Sequence, residues 1–88
     1  MAREYRIQLS KSAHRFHQRA DPSLRHRLST AIDELRADPR RAGVIALQGR
    51  LAGRFRYRVG DYRIVFEVHD DKLFVSVVSI AHRSAVYY

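Results

Sequence analysis

The chain contains no cysteine and no tryptophan, and only two prolines among its 88 residues. The absence of cysteine excludes disulfides, thiolate zinc sites and cysteine nucleophiles, and it is typical of a reducing compartment. No apolar run approaches the roughly 20 residues that a membrane span needs. The first ten residues, MAREYRIQLS, also lack the apolar segment of a signal peptide. We therefore expect a cytoplasmic protein without a membrane partner.

Acidic residues are scarce as well. Nine of them stand against 17 basic residues, which gives a formal net charge of +8. Fifteen of the basic residues are arginines, whose planar guanidinium groups bind phosphate with two parallel hydrogen bonds. Arginine-favouring codons would give the same excess, but the placement is uneven: residues 40–63 hold seven arginines and one acid, Asp61. This charge distribution predicts a polyanionic partner, either nucleic acid or an acidic protein.

The hydrophobic patterns predict an α+β fold in a single domain, residues 1–88. Ser10 and Asp21-Pro22 have the residue types that begin helices, and Asp38-Pro39 marks a helix stop. We expect the helices to cover one face of a mostly antiparallel sheet and to leave the other face open. The predicted elements are a strand at 4–9, helices at 11–19 and 22–37, a loop-like segment at 40–53, and a three-strand antiparallel meander at 54–59, 62–69 and 72–80.

The strand at 54–59 alternates strictly between apolar and basic residues, so that Arg54, Arg56 and Arg58 share one face. Alternate residues of a strand lie about 6.7 Å apart, which is near the spacing of successive phosphates along an extended nucleic-acid strand. Arg63, just past the hairpin, is expected to face the same groove. The alternative is an ordinary solvated strand face with charges that prevent edge association. Such faces usually mix both signs, and this one does not.

Two motifs are more specific than the charge. Leu47-Gln-Gly49 followed by LAGRFRYRVGDYRIVFEV (51–68), and the ending IAHRSAVY (80–87), resemble the RelE-type toxins of bacterial toxin–antitoxin pairs. The resemblance covers nearly the whole chain, including the order of elements and the helix stop. It implies a messenger RNA endonuclease that acts in the ribosomal decoding site without a cofactor. It also implies an acidic antitoxin as partner, with operator DNA bound only through the toxin–antitoxin complex.

The resemblance also implies site residues. The cleavage would be attack of a ribose 2′-hydroxyl on the adjacent phosphate, which needs no metal and leaves a cyclic phosphate and a free 5′-hydroxyl. Family members often have lysine where this chain has arginine, and arginine, with a pKa above 12, is a poor base. Tyr87 is therefore the first candidate for the general base, and His82 the second candidate for a proton donor or substrate positioner. The predicted catalytic set is Arg56, Arg58, Arg63, Arg83, Tyr87 and His82, and the predicted RNA-binding residues are Arg50 and Arg54.

Several alternatives stay open. A ParE-like toxin on the same scaffold would poison DNA gyrase and would lack the arginine–tyrosine ending, which is present here. An inactive module that acts with its antitoxin on operator DNA is a third possibility. His14 and His17 have a spacing that can bind metal, but with no carboxylate or cysteine nearby a solvated helix face is the better interpretation. Glu67 shares strand parity with Arg63, so it either pairs with it or completes the groove.

Overall fold

The computed structural model describes residues 4–85, which form a five-stranded sheet covered on one face by two helices. The strand order is β1-β5-β4-β3-β2, with β1 parallel to β5 and the other neighbours antiparallel. This arrangement confirms the predicted α+β fold class. Within these residues no helix is long and apolar enough to cross a membrane. The elements are β1 (Arg6–Leu9), α1 (Lys11–Arg19), α2 (Pro22–Ala37), β2 (Val44–Ala46), β3 (Arg54–Val59), β4 (Tyr62–His69) and β5 (Phe74–His82).

Both helices begin where the capping residues predicted. The Ser10 hydroxyl accepts a hydrogen bond from the Ala13 N–H at 3.1 Å and lies 2.7 Å from the carbonyl oxygen of Val78, to which it donates. The Asp21 carboxylate accepts from the Leu24 N–H at 2.9 Å, and a proline follows at the first helical position. These bonds satisfy backbone donors that the first turn of a helix leaves free. The Ser10 cap also attaches α1 to β5.

Several element bounds differ from the prediction. β1 begins at Arg6 and not at residue 4, and β5 extends to His82 and not to residue 80. The segment predicted as a loop contains β2, a three-residue edge strand whose central residue, Ile45, pairs with Arg56 of β3. Three residues are too few to show an alternating pattern, so the sequence did not predict this strand. Its hydrogen bonds to β3 define it. β5 begins at Phe74, two residues later than predicted. A 3-10 turn occupies Asp70–Lys72, and Leu73 then has a positive φ of 48°.

The core lies between the helices and one face of the sheet. Side chains from both layers interdigitate there and are almost completely removed from solvent. β5 contains one extra residue between the pairs Val65–Ser79 and Phe66–Val77, and this irregularity lets the strand keep apolar residues toward the helices on both sides of it. The largest fully buried side chains are Phe66, Leu28, Leu35, Ile64, Val75 and Val77.

Two polar clusters join elements that are distant in sequence. The Tyr57 hydroxyl donates to Glu34 Oε1 at 2.9 Å, which ties β3 to α2. Burial, together with this hydrogen bond, raises the pKa of Tyr57. Asp70 accepts two hydrogen bonds from the Arg40 guanidinium, both at 2.8 Å, and one from the Tyr5 hydroxyl at 2.7 Å. These contacts, those of Arg40 foremost, lower the pKa of Asp70 to about 2.

Candidate nucleic-acid interface

The face of the sheet opposite the helices, here called the open face, carries the arginine row. Phe55, like the other apolar residues of β3, packs toward the core, so Arg54, Arg56 and Arg58 project from the other side. No helix of the described part of the chain covers this side. The predicted alternation of β3 is thus present in three dimensions. It places three guanidinium groups along one strand.

The hairpin between β3 and β4 adds a fourth arginine to this face. Arg58 pairs directly with Arg63 across the hairpin, and side chains opposite each other in antiparallel strands have Cβ atoms about 5 Å apart. Like charges in this position are destabilising unless an anion lies between them. Arg58 bends toward the turn, where its Nε donates to the Gly60 carbonyl at 2.8 Å. The hairpin end of the open face therefore concentrates positive charge.

Arg83 is brought to the same hairpin by Asp61. The backbone N–H of Arg83 donates to the Asp61 carbonyl at 2.7 Å, and the Arg83 Nε lies 3.7 Å from the Asp61 carboxylate. Both side chains are about 60% exposed, so the ion pair is weak and the guanidinium stays accessible. The sequence alone assigned no role to Asp61 beyond the charge it carries. Its position as the single acid among the seven arginines of 40–63 was the available signal for a further role.

Glu67 does not pair with Arg63, contrary to one of the two predictions made for it. The β3–β4 register puts it opposite Arg54, and the Arg54 Nε donates to Glu67 Oε2 at 3.0 Å. The other carboxylate oxygen lies 3.7 Å from His69 Nε2. Arg54 is consequently compensated by a carboxylate, whereas Arg58 and Arg63 face each other. The alternation of side chains along the strands places Glu67, Arg54 and Arg63 on the same face, so it could not show which arginine pairs with Glu67. The register between β3 and β4 decides this, because it puts Glu67 opposite Arg54.

His82 lies on the other side of the sheet from the arginines. It pairs with Tyr62 at the end of β5, and Tyr62 packs against the core on the helix side. The two rings are 5.2 Å apart in an edge-to-face arrangement. His82 Nδ1 also lies 2.7 Å from the Ser84 hydroxyl. Arg63 pairs with Ala81, the residue before His82. Because successive residues of a strand point to opposite faces, His82 and Arg63 lie on opposite sides of the sheet.

The remaining predicted residues occupy other places. Arg56 lies at the centre of the open face, between Ile45 and Val65 in the neighbouring strands. Arg50 is exposed in a 3-10 turn that precedes β3, at the end of the strand far from the hairpin. Tyr87 lies outside the described residues. The arginines are therefore grouped as a hairpin cluster of Arg58, Arg63 and Arg83, a central Arg56, and a distal pair of Arg50 and Arg54.

Among residues 4–85 no three His, Cys, Asp or Glu side chains are grouped so that they could hold a metal ion. His17 Nε2 lies 2.8 Å from the Ser29 hydroxyl, a contact between α1 and α2. His14 is exposed. The charges along β3 on the open face are guanidinium groups, with Glu67 beside Arg54. Such a row can bind successive phosphates and can stabilise negative charge that develops on one of them.

Comparison with known proteins supports this reading of the fold. The toxin–antitoxin complex RelBE2 of Mycobacterium tuberculosis matches with a TM-score of 0.81 and 26% identity, over 91% of this chain and 99% of that one. The archaeal RelE–RelB complex of Pyrococcus horikoshii matches with a TM-score of 0.78 and 25% identity, over 98% and 100%. The isolated E. coli RelE toxin, at 21% identity, shares the fold with a TM-score of 0.77, over 93% and 87%.

A search of curated proteins finds no relative of this chain. The model of the family described as the ParE toxin of type II toxin–antitoxin systems, parDE, matches residues 2–87. This match spans nearly every residue, including β3, the hairpin and the segment after β5. It confirms the resemblance that the two sequence motifs indicated. The chain therefore belongs to the ParE toxin family, within the RelE/ParE superfamily of type II toxin–antitoxin toxins.

Proposed function

We propose that this toxin is a ribosome-dependent endoribonuclease that cleaves messenger RNA and thereby inhibits translation. The observation that carries the proposal is the hairpin cluster. Arg58 and Arg63 face each other, and Asp61 holds Arg83 beside them. Three guanidinium groups at one end of an open sheet face suit a phosphate that gains negative charge during a reaction. A binding site that only tracks a backbone would not need to concentrate charge at one point.

The proposed reaction is an internal transfer at phosphorus. The ribose 2′-oxygen forms a bond to the adjacent phosphorus, the bond from phosphorus to the 5′-oxygen breaks, and the products are a 2′,3′-cyclic phosphate and a 5′-hydroxyl. A base takes the proton of the 2′-hydroxyl, and an acid protonates the leaving oxygen. Arg63 and Arg83 stabilise the phosphorane, with Arg56 and Arg58 beside them. Arg50 and Arg54 bind the RNA farther along β3.

Proton transfer is assigned to the end of the chain. Tyr87 is the proposed general base, because arginine remains protonated at any pH at which the protein works. His82 is the second candidate, as proton donor or substrate positioner. Its ring lies against Tyr62 on the helix side of the sheet, so a direct role requires it to turn toward the hairpin cluster. We therefore rank His82 below Tyr87.

The proposed partner outside the reaction is an acidic antitoxin. The net charge of +8 favours such a partner, and two of the similar structures are complexes of a toxin with its antitoxin. Operator DNA would be bound only through that complex. A short acidic reading frame next to the gene would support this part of the proposal.

A second candidate is a ParE-like toxin that inhibits DNA gyrase without nuclease activity. The family model that matches the chain favours it, since that model describes ParE toxins. The two functions place different demands on the hairpin cluster. A nuclease needs the three arginines for chemistry, whereas a gyrase inhibitor needs them only for binding, if at all.

One experiment separates the two. Purified toxin is incubated with ribosomes that hold a defined message and, separately, with gyrase and relaxed plasmid. Arg83→Ala and Arg63→Ala should each slow message cleavage about 10²- to 10³-fold, the usual cost of removing one charge-stabilising group. Arg36→Ala, which removes an arginine of α2 that pairs with Asp33 on the same helix, is the matched control and should cleave normally. Inhibition of supercoiling without message cleavage would overturn the proposal.

A further inference from the structure

The outer side of α1 carries a second basic surface. Lys11, Arg15 and Arg19 are spaced four residues apart and are all exposed, and we call them the α1 stripe. Each step of four residues advances about 6 Å along a helix, a separation comparable with that of neighbouring phosphates on one nucleic-acid strand. The helix contains no acidic residue. Charge of one sign therefore runs along its whole length.

The α1 stripe points away from the sheet. Ala13 is fully buried and Ala20 nearly so, and these residues define the side of α1 that packs on the core. At 100° per residue, Arg15 is rotated about 160° from Ala13. The open face lies on the far side of the sheet from α1. The molecule thus has basic residues on both sides of the sheet, the arginine row on the open face and the α1 stripe on the helix side.

Folding stability does not account for the α1 stripe as a whole. The macrodipole favours Arg19 in the last turn of the helix but disfavours Lys11 at its first position. Like charges four residues apart also repel by a few tenths of a kcal/mol. The ion pairs found among residues 4–85 include none of the three side chains. Arg25 offers a contrast, because it donates to three carbonyls at the end of α1 and so has a structural role.

We propose that the α1 stripe binds the phosphate backbone of a folded RNA, separate from the single strand on the open face. The inference rests on the proposed function, in which the toxin works on a message surrounded by ribosomal RNA. The α1 stripe contains no apolar side chain. Nucleic-acid interfaces are polar and strongly positive, whereas protein interfaces depend on buried aromatic and aliphatic anchors. A toxin basic on opposite sides would fit between two RNA segments.

An acidic protein segment is the competing occupant. A groove beside the α1 stripe is lined by Phe16, Leu24 and Tyr62, so a peptide could place an apolar residue there and its acids on Arg15 and Arg19. The experiment therefore has to separate RNA from protein. It also has to separate the α1 stripe from the open face.

The test compares K11Q/R15Q/R19Q with the charge-conserving K11R/R15K/R19K. Affinities are measured over 50–200 mM salt for three probes: 70S ribosomes, a 16-base-pair RNA duplex, and a short 2′-O-methyl RNA strand that cannot be cleaved. Arg15→Gln and Arg36→Gln compare the loss of one arginine on α1 and on α2. Thermal unfolding checks that the variants are folded, and removal of like-charge repulsion should leave their stability unchanged or slightly higher.

The expected result is selective. K11Q/R15Q/R19Q should bind ribosomes and duplex more weakly and reduce the slope of log affinity against log salt by about 2 to 3, while binding of the short strand stays as in the wild type. Unchanged binding of both ribosomes and duplex would overturn the inference. Equal losses on all three probes would also overturn it, since they would indicate a general effect of net charge.

Two further outcomes keep the inference distinct from the proposed function. Duplex binding through the α1 stripe by a protein that does not cleave message would refute the nuclease and leave the inference standing. If duplex binding is unaffected by the substitutions but binding of poly-glutamate is lost, the α1 stripe is a site for an acidic protein, and the inference fails.

Discussion

Glu67 reduces the positive charge of the open face, because its carboxylate pairs with Arg54. Substituting Glu67 therefore tests whether the arginine row binds RNA. The carboxylate lies 3.0 Å from the Arg54 Nε, and both side chains are 35% exposed. A partly exposed pair of this kind contributes up to about 1 kcal/mol. Any phosphate that binds Arg54 has to replace this interaction. Glu67→Gln should therefore tighten the binding of single-stranded RNA by up to about fivefold, since 1.4 kcal/mol corresponds to a factor of ten.

The assay is fluorescence anisotropy of a labelled 2′-O-methyl RNA strand, titrated at several salt concentrations. Freeing Arg54 for one full phosphate contact should also make the salt slope steeper by roughly 0.7. Asp33→Asn is the matched control. Asp33 also pairs with an arginine, Arg36, but it lies on α2, so the substitution changes net charge equally without touching the open face.

The comparison between the two variants decides the outcome. Tightening by Glu67→Gln alone would support a binding path along β3 that includes Arg54. Equal tightening by both variants would refute the reasoning, because it would show that net charge and not the arginine row sets the affinity. Unchanged affinity for Glu67→Gln would also refute it, and would remove Arg54 from the proposed RNA-binding residues.

Three further predictions concern stability. Tyr57→Phe removes the hydroxyl bound to Glu34 and should lower the free energy of unfolding by about 1–2 kcal/mol; urea denaturation should show no comparable loss for Tyr62→Phe. Asp70 has a lowered pKa of about 2, so it stabilises the fold above its unfolded pKa and the stabilisation is lost as pH falls through about 2. The Tm difference between wild type and Asp70→Asn should accordingly be constant near neutrality and disappear near pH 2. Gly60→Ala imposes a side chain on a turn residue with φ of +59° and should lower the unfolding free energy by about 1 kcal/mol or more; an unchanged denaturation midpoint would contradict this.

The local sequence was enough to determine most of the elements and the chemical character of the site. The helix starts at Ser10 and at Asp21-Pro22 were predictable because a cap acts within three residues of itself. The alternation of β3 placed its arginines on one face because strand geometry repeats every two residues. The same motifs identified the family, which the family model confirms. All of this information is contained in short stretches of chain.

The tertiary structure decided which residues meet. β2 is a strand only because β3 supplies its hydrogen bonds. The register of the strands put Glu67 opposite Arg54, and it put His82 opposite Tyr62, on the side of the sheet away from the arginines. The carbonyl of Asp61 brought Arg83 to the hairpin. Each of these contacts joins segments distant in sequence, and pairing between such segments depends on how the whole sheet assembles and not on the pattern of either segment alone.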